Sequence, residues 1–101
     1  MEEYILFMYN DAVDVVAAAD GALWGRYFQQ LETTGKFNGG SSVGGGLFLN
    51  KHGTEKVSHS DVTGFVRVNA KNLEDAQQFL RGNPVYEAGG TVEIRHLPRD
   101  L

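Results

Sequence analysis

Cysteine is absent from this chain, which excludes disulfides, iron–sulfur ligation and thiol catalysis. Positive charge is also in deficit. Nine Lys and Arg face thirteen Asp and Glu, a formal net charge of −4. Nucleic-acid binding wants a basic patch, and anionic lipid attracts basic segments, so neither partner is expected. No apolar run approaches the ~18 residues of a membrane span. Near Met1 stand two acids where a secretory leader would carry Lys or Arg. The three histidines, His52, His59 and His96, lack the HxxxH or HExxH spacing of a zinc site. The expectation is a cytoplasmic protein with no metal, no cofactor, no membrane and no nucleic-acid partner.

What is present is ordinary for a folded domain. The chain has 101 residues, 42% hydrophobic and 22% charged, enough for one domain over 1–101. Tyr4 to Tyr9, YILFMY, reads as a strand stopped by Asn10-Asp11. Being apolar on both faces, it needs cover on both, which points to a partner subunit. Ala12 to Ala19 has no clear pattern. Asp20 is a helix N-cap, and Leu23, Trp24, Tyr27, Phe28 and Leu31 form one apolar stripe ending at Gly35. Tyr27 is read mainly as core, or alternatively as a hydroxyl donor in a pocket. Five glycines lie between positions 39 and 46, but neither GxxxxGK[ST] nor GxGxxG is formed, so a phosphate cradle is not expected. The alternation of Val43, Gly45, Leu47 and Leu49 suggests a strand with bulges. Asn50 to Asp61 is a polar loop or hairpin. In it His59 and Asp61 flank Ser60, the kind of pair that tunes a general base when the backbone is extended.

The second half is better punctuated. Thr63 to Val68 is a strand, Asn72 caps a helix striped by Leu73, Ala76, Phe79 and Leu80, and Gly82 with Pro84 ends it. Val85 to Gly90 is a short helical turn, and Thr91 to Leu97 a last strand. The order strand, helix, strand, strand, helix, strand is the α+β, ferredoxin-like βαββαβ arrangement, a four-stranded antiparallel sheet with helices on one face. The first and third strands are then central. If Val66, Val68, Val92 and Ile94 face the helices, Phe65, Arg67, Glu93 and Arg95 share the other face. Such a face suits an anion-binding pocket roofed by a second subunit, or an ion-pair cluster at a dimer interface.

Gly64 to Arg95 carries a run in which Gly64-Phe65, Val68, Ala70, Leu73, Ala76, Phe79-Leu80, Pro84, Gly89-Gly90 and Val92-Glu93-Ile94-Arg95 resemble the YCII-related proteins, including the DGPF-type domains. Tyr9-Asn10-Asp11, the W-x-x-Y-x-x-x-L-x-x-x-G run from Trp24 to Gly35, and the Gly-Gly-Ser that follows extend the likeness over most of the chain. The resemblance implies a dimeric α+β barrel of ferredoxin-like subunits, similar to muconolactone isomerases and small monooxygenases. Some family members carry a catalytic His in the first helix, where this chain has Tyr27. The DGPFAETKE segment of another branch is replaced by VSHSD, which contains His59 and Asp61. Two functions are weighed. One is a homodimeric binding or regulatory module in which Arg67 and Arg95 hold a carboxylate or similar anion by charge-assisted hydrogen bonds, with Glu93 a further ligand-binding candidate. The other is a cofactor-free enzyme of isomerase or dehalogenase type, with His59, Asp61 or Tyr27 as acid or base.

Overall fold

Strand β1 (Glu2–Tyr9) alternates as its side chains demand: Tyr4, Leu6 and Met8 are buried, while Glu3, Ile5, Phe7 and Tyr9 lie half-buried on the other face. Strand β5 (Val62–Ala70) does the same, burying Gly64, Val66, Val68 and Ala70. A computed structural model describes residues 1–53, 56–57 and 61–100, the side chains of 56 and 57 excepted. β1 and β5 pair antiparallel at the centre, flanked by β2 (Phe37–Ser42) beyond β5 and β6 (Val92–Leu97) beyond β1. A separate two-stranded hairpin, β3 (Leu47–Phe48) with β4 (Lys56–Val57), projects between β2 and β5 in sequence. The bulged strand expected around Val43 to Leu49 is therefore two pieces. β2 ends at Ser42, its own bulge lying between Phe37 and Gly40.

Helix formation follows the caps. Asp14 accepts from the Ala17 amide and starts α1 (Val15–Ala18), within the stretch that had no clear pattern. The Asp20 carboxylate accepts from Ala22 and Leu23 and starts α2 (Gly21–Thr33), after which Gly35 takes a φ of +67°, open to glycine without the Cβ penalty. Asn72 caps α3 (Leu73–Ala76), which tightens at once into a 3-10 turn over Gln77–Leu80. Asn83 caps α4 (Pro84–Glu87), with proline at the start where its missing N–H costs nothing. The helices bury Tyr27, Leu31, Ala76, Phe79 and Val85 against Tyr4, Leu6, Met8, Val66 and Val68.

This is the ferredoxin-like sheet with helices on one face. The barrel in the expected fold class is corrected: the sheet is open, with order β2-β5-β1-β6, so β2 and β6 are edges with a single neighbour each among the described residues. Four strands are too few to close, since about eight are needed before a barrel interior just accommodates side chains.

At the β2 edge the strands come unusually close. A Cβ at Gly40 would stand 2.3 Å from the Phe65 carbonyl oxygen, a backbone atom that cannot swing away. Gly40→Ala is expected to part β2 from β5 and cost about 1–3 kcal/mol. Chemical denaturation checks this, together with exchange of the Val43 amide, which donates to the Thr63 carbonyl at 3.0 Å.

Candidate functional site

The register decides which polar side chains meet on the helix-free face. Phe7 stands between Phe65 and Glu93, and Ile5 between Arg67 and Arg95. Phe65, Arg67, Glu93 and Arg95 thus share one face. The two arginines sit on opposite sides of β1, roughly 10 Å apart at the backbone from two strand spacings, and they belong to different clusters.

Arg67 is committed. Its Nη2 donates to the Asn38 carbonyl at 2.7 Å and its Nη1 to Glu3 Oε2 at 3.4 Å. The other oxygen of Glu3 accepts from Arg99 Nε at 2.5 Å, and Arg99 takes a left-handed φ of 55° in the tail beyond β6. Asn38 also donates to Glu3 and to Asn69. The Arg99 hydrogen bond holds the Glu3 carboxyl below its ordinary range, against the opposing effect of burial.

The second cluster sits at the other end of β1. The Tyr9 hydroxyl donates to Glu93 Oε1 at 2.6 Å. That bond raises the phenol's pKa, as do burial and the charges of Glu93 and Asp61, while Arg95 opposes them. Arg95 is exposed and has no hydrogen bond or ion pair among the described residues. Asp11 anchors the same end, accepting from the Thr91 hydroxyl at 2.6 Å and the Thr91 amide at 2.8 Å. The cluster is therefore a phenol, a carboxylate and an available guanidinium on a floor of Ile5, Phe7 and Phe65.

The sequence candidates divide accordingly. Glu93 and Arg95 are successive same-face positions of β6 with no hydrogen bond or ion pair between them among the described residues, and Arg67 lies across β1 from both. Asp61 stands near enough to influence Tyr9, and its carbonyl accepts from the Asn10 amide at 2.9 Å. His59 lies outside the described residues. Tyr27 is on the opposite, helix-bearing side of the sheet, only 1% exposed, its hydroxyl donating to the Phe79 carbonyl at 2.7 Å. Burial pushes that phenol up to about 12. Tyr9 was missed, although the alternation Ile5, Phe7, Tyr9 places it on the face of Glu93. Glu3 and Arg99 were missed because their meeting spans 96 positions of sequence. No group of three His, Asp or Glu side chains arranged for a metal occurs among the described residues. No described helix is long and apolar enough to cross a membrane.

The helix side of the sheet holds a cleft the sequence did not announce. It has a volume of about 500 Å³ and opens between the start of α2 and the β2–β5 edge. Trp24 and Phe28 form one wall, their ring centroids 5.6 Å apart, and Ser41, Ser42, Thr63 and Gly64 form the other.

No family model matches the chain, and no curated protein does. Among solved structures it is similar to 5-chloro-2-hydroxyhydroquinone dehydrochlorinase from Burkholderia phenoliruptrix AC1100, in complex with 2,5-dihydroxybenzoquinone. The TM-score is 0.56 at 13% identity, over 94% of this chain and 92% of that one. What the two proteins share at that identity is the fold, in agreement with the ferredoxin-like arrangement that the YCII-related resemblance implies.

Proposed function

We propose that this chain is a cofactor-free enzyme of the dehalogenase or isomerase type, acting on a small oxygenated acid at the Tyr9–Glu93–Arg95 end of the sheet. The observation that carries this reading is the 2.6 Å hydrogen bond from Tyr9 to Glu93 beside an arginine with no partner among the described residues. Similarity of fold to a dehydrochlorinase supports the same reaction class. In the proposed step the Glu93 carboxylate takes a proton from the carbon next to the substrate carbonyl. The electron pair moves to the carbonyl oxygen, and the enolate is held by Arg95 and by the Tyr9 hydroxyl, which turns from Glu93 to the new anion. The enolate then either recovers a proton at a different carbon or expels halide. The bond to Glu93 raises the Tyr9 phenol above its ordinary value, so Tyr9 enters the step as a donor. A flat sheet face does not exclude water by itself, so a second copy of the chain is proposed as the cover over Ile5, Phe7 and Phe65.

One observation favours a second reading, the binding or regulatory module. Arg67, Glu3 and Arg99 already satisfy one another on this face, as groups that only shape an anion-binding surface would. In that reading Arg67 lines the surface while Glu93 and Arg95 hold the ligand.

The test is turnover of a panel of halogenated and unsaturated hydroxy and oxo acids, followed by halide release and ultraviolet absorbance. Glu93→Gln is expected to lower kcat by about 100-fold or more, the usual contribution of a positioned base. Arg95→Ala is expected to raise KM by about tenfold or more. Binding without turnover, weakened by Arg95→Ala, selects the module. If no panel member binds, or both variants behave as the parent, the site is wrong. A light-scattering mass equal to the 11.1 kDa chain removes the proposed cover.

A further inference from the structure

The cleft on the helix side of the sheet is separate from the Tyr9–Glu93–Arg95 face, and its chemistry is different. Its origin is visible in the residues around it. Gly64 and Gly40 bring no side chains to this end of the sheet, and Ala18 and Ala19 bring only methyl groups from the end of α1. The large rings of Trp24 and Phe28 then stand off from the strands, with Met8 and Val85 between them. The volume of about 500 Å³ lies within the ordinary range of small-molecule sites.

What lines the cleft limits what fits it. Among the described residues, no Asp, Glu, Lys, Arg or His contributes to its lining. A charged ligand would lose its hydration there with nothing to replace it. The polar residues on the rim carry hydroxyls, and the register puts that of Ser42, opposite the buried Gly64, on the helix side, while Ser41 stands opposite Phe65. Ser41 donates to the Ser42 carbonyl at 2.9 Å and Thr63 to the Met8 carbonyl at 3.4 Å. Those two hydroxyls are engaged with the backbone, whereas the Ser42 hydroxyl has no hydrogen bond among the described residues. The rim therefore offers at Ser42 both a donor and an acceptor, and a ligand hydroxyl, which is also both, is its complement. The opposite wall is formed by Trp24 and Phe28, ring centroids 5.6 Å apart, with Phe37 behind Phe28 at 5.7 Å. Trp24 is locked in place, its Nε1 donating to the Ala18 carbonyl at 2.8 Å. A flat ring is the shape that packs on such a wall by offset stacking or an edge-to-face contact.

The geometry points to a second ligand site in this cleft, for an uncharged planar ring bearing a hydroxyl group, with the ring against Trp24 and Phe28 and the hydroxyl donating to the Ser42 rim. The occupant is small and neutral, unlike the anion assigned to the sheet face.

The chain has one tryptophan, so its indole N–H gives a single resonance that reports on the cleft directly. The full-length protein labelled with nitrogen-15 is titrated with phenol, hydroquinone, anisole and benzoate, following the Trp24 indole and the Gly64 amide. Phenol and hydroquinone are expected to move both resonances saturably, with Kd on the order of 1 mM for ligands so small. Anisole keeps the ring but lacks the donor, and is expected to bind about fivefold or more weakly. Benzoate is expected to leave both resonances in place. Ser42→Leu, at an exposed position, fills the rim and is expected to weaken phenol by about tenfold or more. If that variant loses its dispersed spectrum, the comparison of phenol with anisole and benzoate on the parent chain still decides. Equal binding of all four probes, or no saturable shift, overturns the site. Resonances that move on dilution of the protein alone overturn it too, because they show the cleft filled by a second copy.

Discussion

Leu6→Ala is expected to lower stability by about 2–5 kcal/mol, the range for removing a fully buried leucine with incomplete collapse of its site. Leu6 is in the central strand β1 at 0% exposure, paired with Val66 on one side and Ile94 on the other. Neighbours held in two ladders cannot relax into the void, which argues for the upper part of the range. For a domain of this size each kcal/mol shifts the midpoint by about 4–8 °C. The thermal midpoint should therefore fall by at least about 10 °C, and a fall of under 3 °C would mean that the β1 side chains do not form the core described here. A loss of that size is a large share of a total of about 5–15 kcal/mol.

The second large effect concerns Tyr27 and high pH. Its phenol is pushed up to about 12 by burial, from an ordinary value of 10.0. The folded state therefore holds this proton more tightly than the unfolded chain. The stabilisation is fully present below pH 10 and is lost as pH rises toward 12. Two pH units correspond to about 2–3 kcal/mol, as an order of magnitude. Tyr27→Phe has no proton to lose, so it should flatten that part of the stability–pH curve. At neutral pH it should cost about 1–3 kcal/mol, because the buried Phe79 carbonyl loses its donor. Denaturant titrations from pH 8 to 12 on both proteins check this. Parallel curves would mean that Tyr27 titrates exposed, and that its hydroxyl is available for chemistry after all. Tyr9 is also raised, by its bond to Glu93, but it is present in both proteins and cancels in the comparison.

Much of the fold was legible because local signals agreed with one another. Asp20, Asn72 and the Gly82–Pro84 punctuation marked helix limits that the structure reproduces, and period-two alternation separated the two faces of β5 and β6. The stretch 43–49 misled because alternation of Val43, Gly45, Leu47 and Leu49 is satisfied equally by one bulged strand or by a strand end and a hairpin. Tyr27 was legible as core and misread only in its alternative role, since a hydroxyl's partner 52 residues away leaves no local trace. The sheet face was legible in its membership but not in its pairings. Arg67 and Arg95 share a face, yet Arg67 goes to Glu3 and Asn38, a choice made by strand order and by where the Arg99 tail returns.

By itself the sequence determined the element types and the alternation that gives each strand its two faces, because side-chain direction in a strand is a property of position alone. Only the tertiary structure decided that Tyr9 meets Glu93, that the sheet stays open at β2 and β6, and that small residues from α1, β2 and β5 leave a cleft beside Trp24. Each of these depends on register, strand order or the sum of absent side chains across distant segments, and none of those quantities is written in any one stretch of chain.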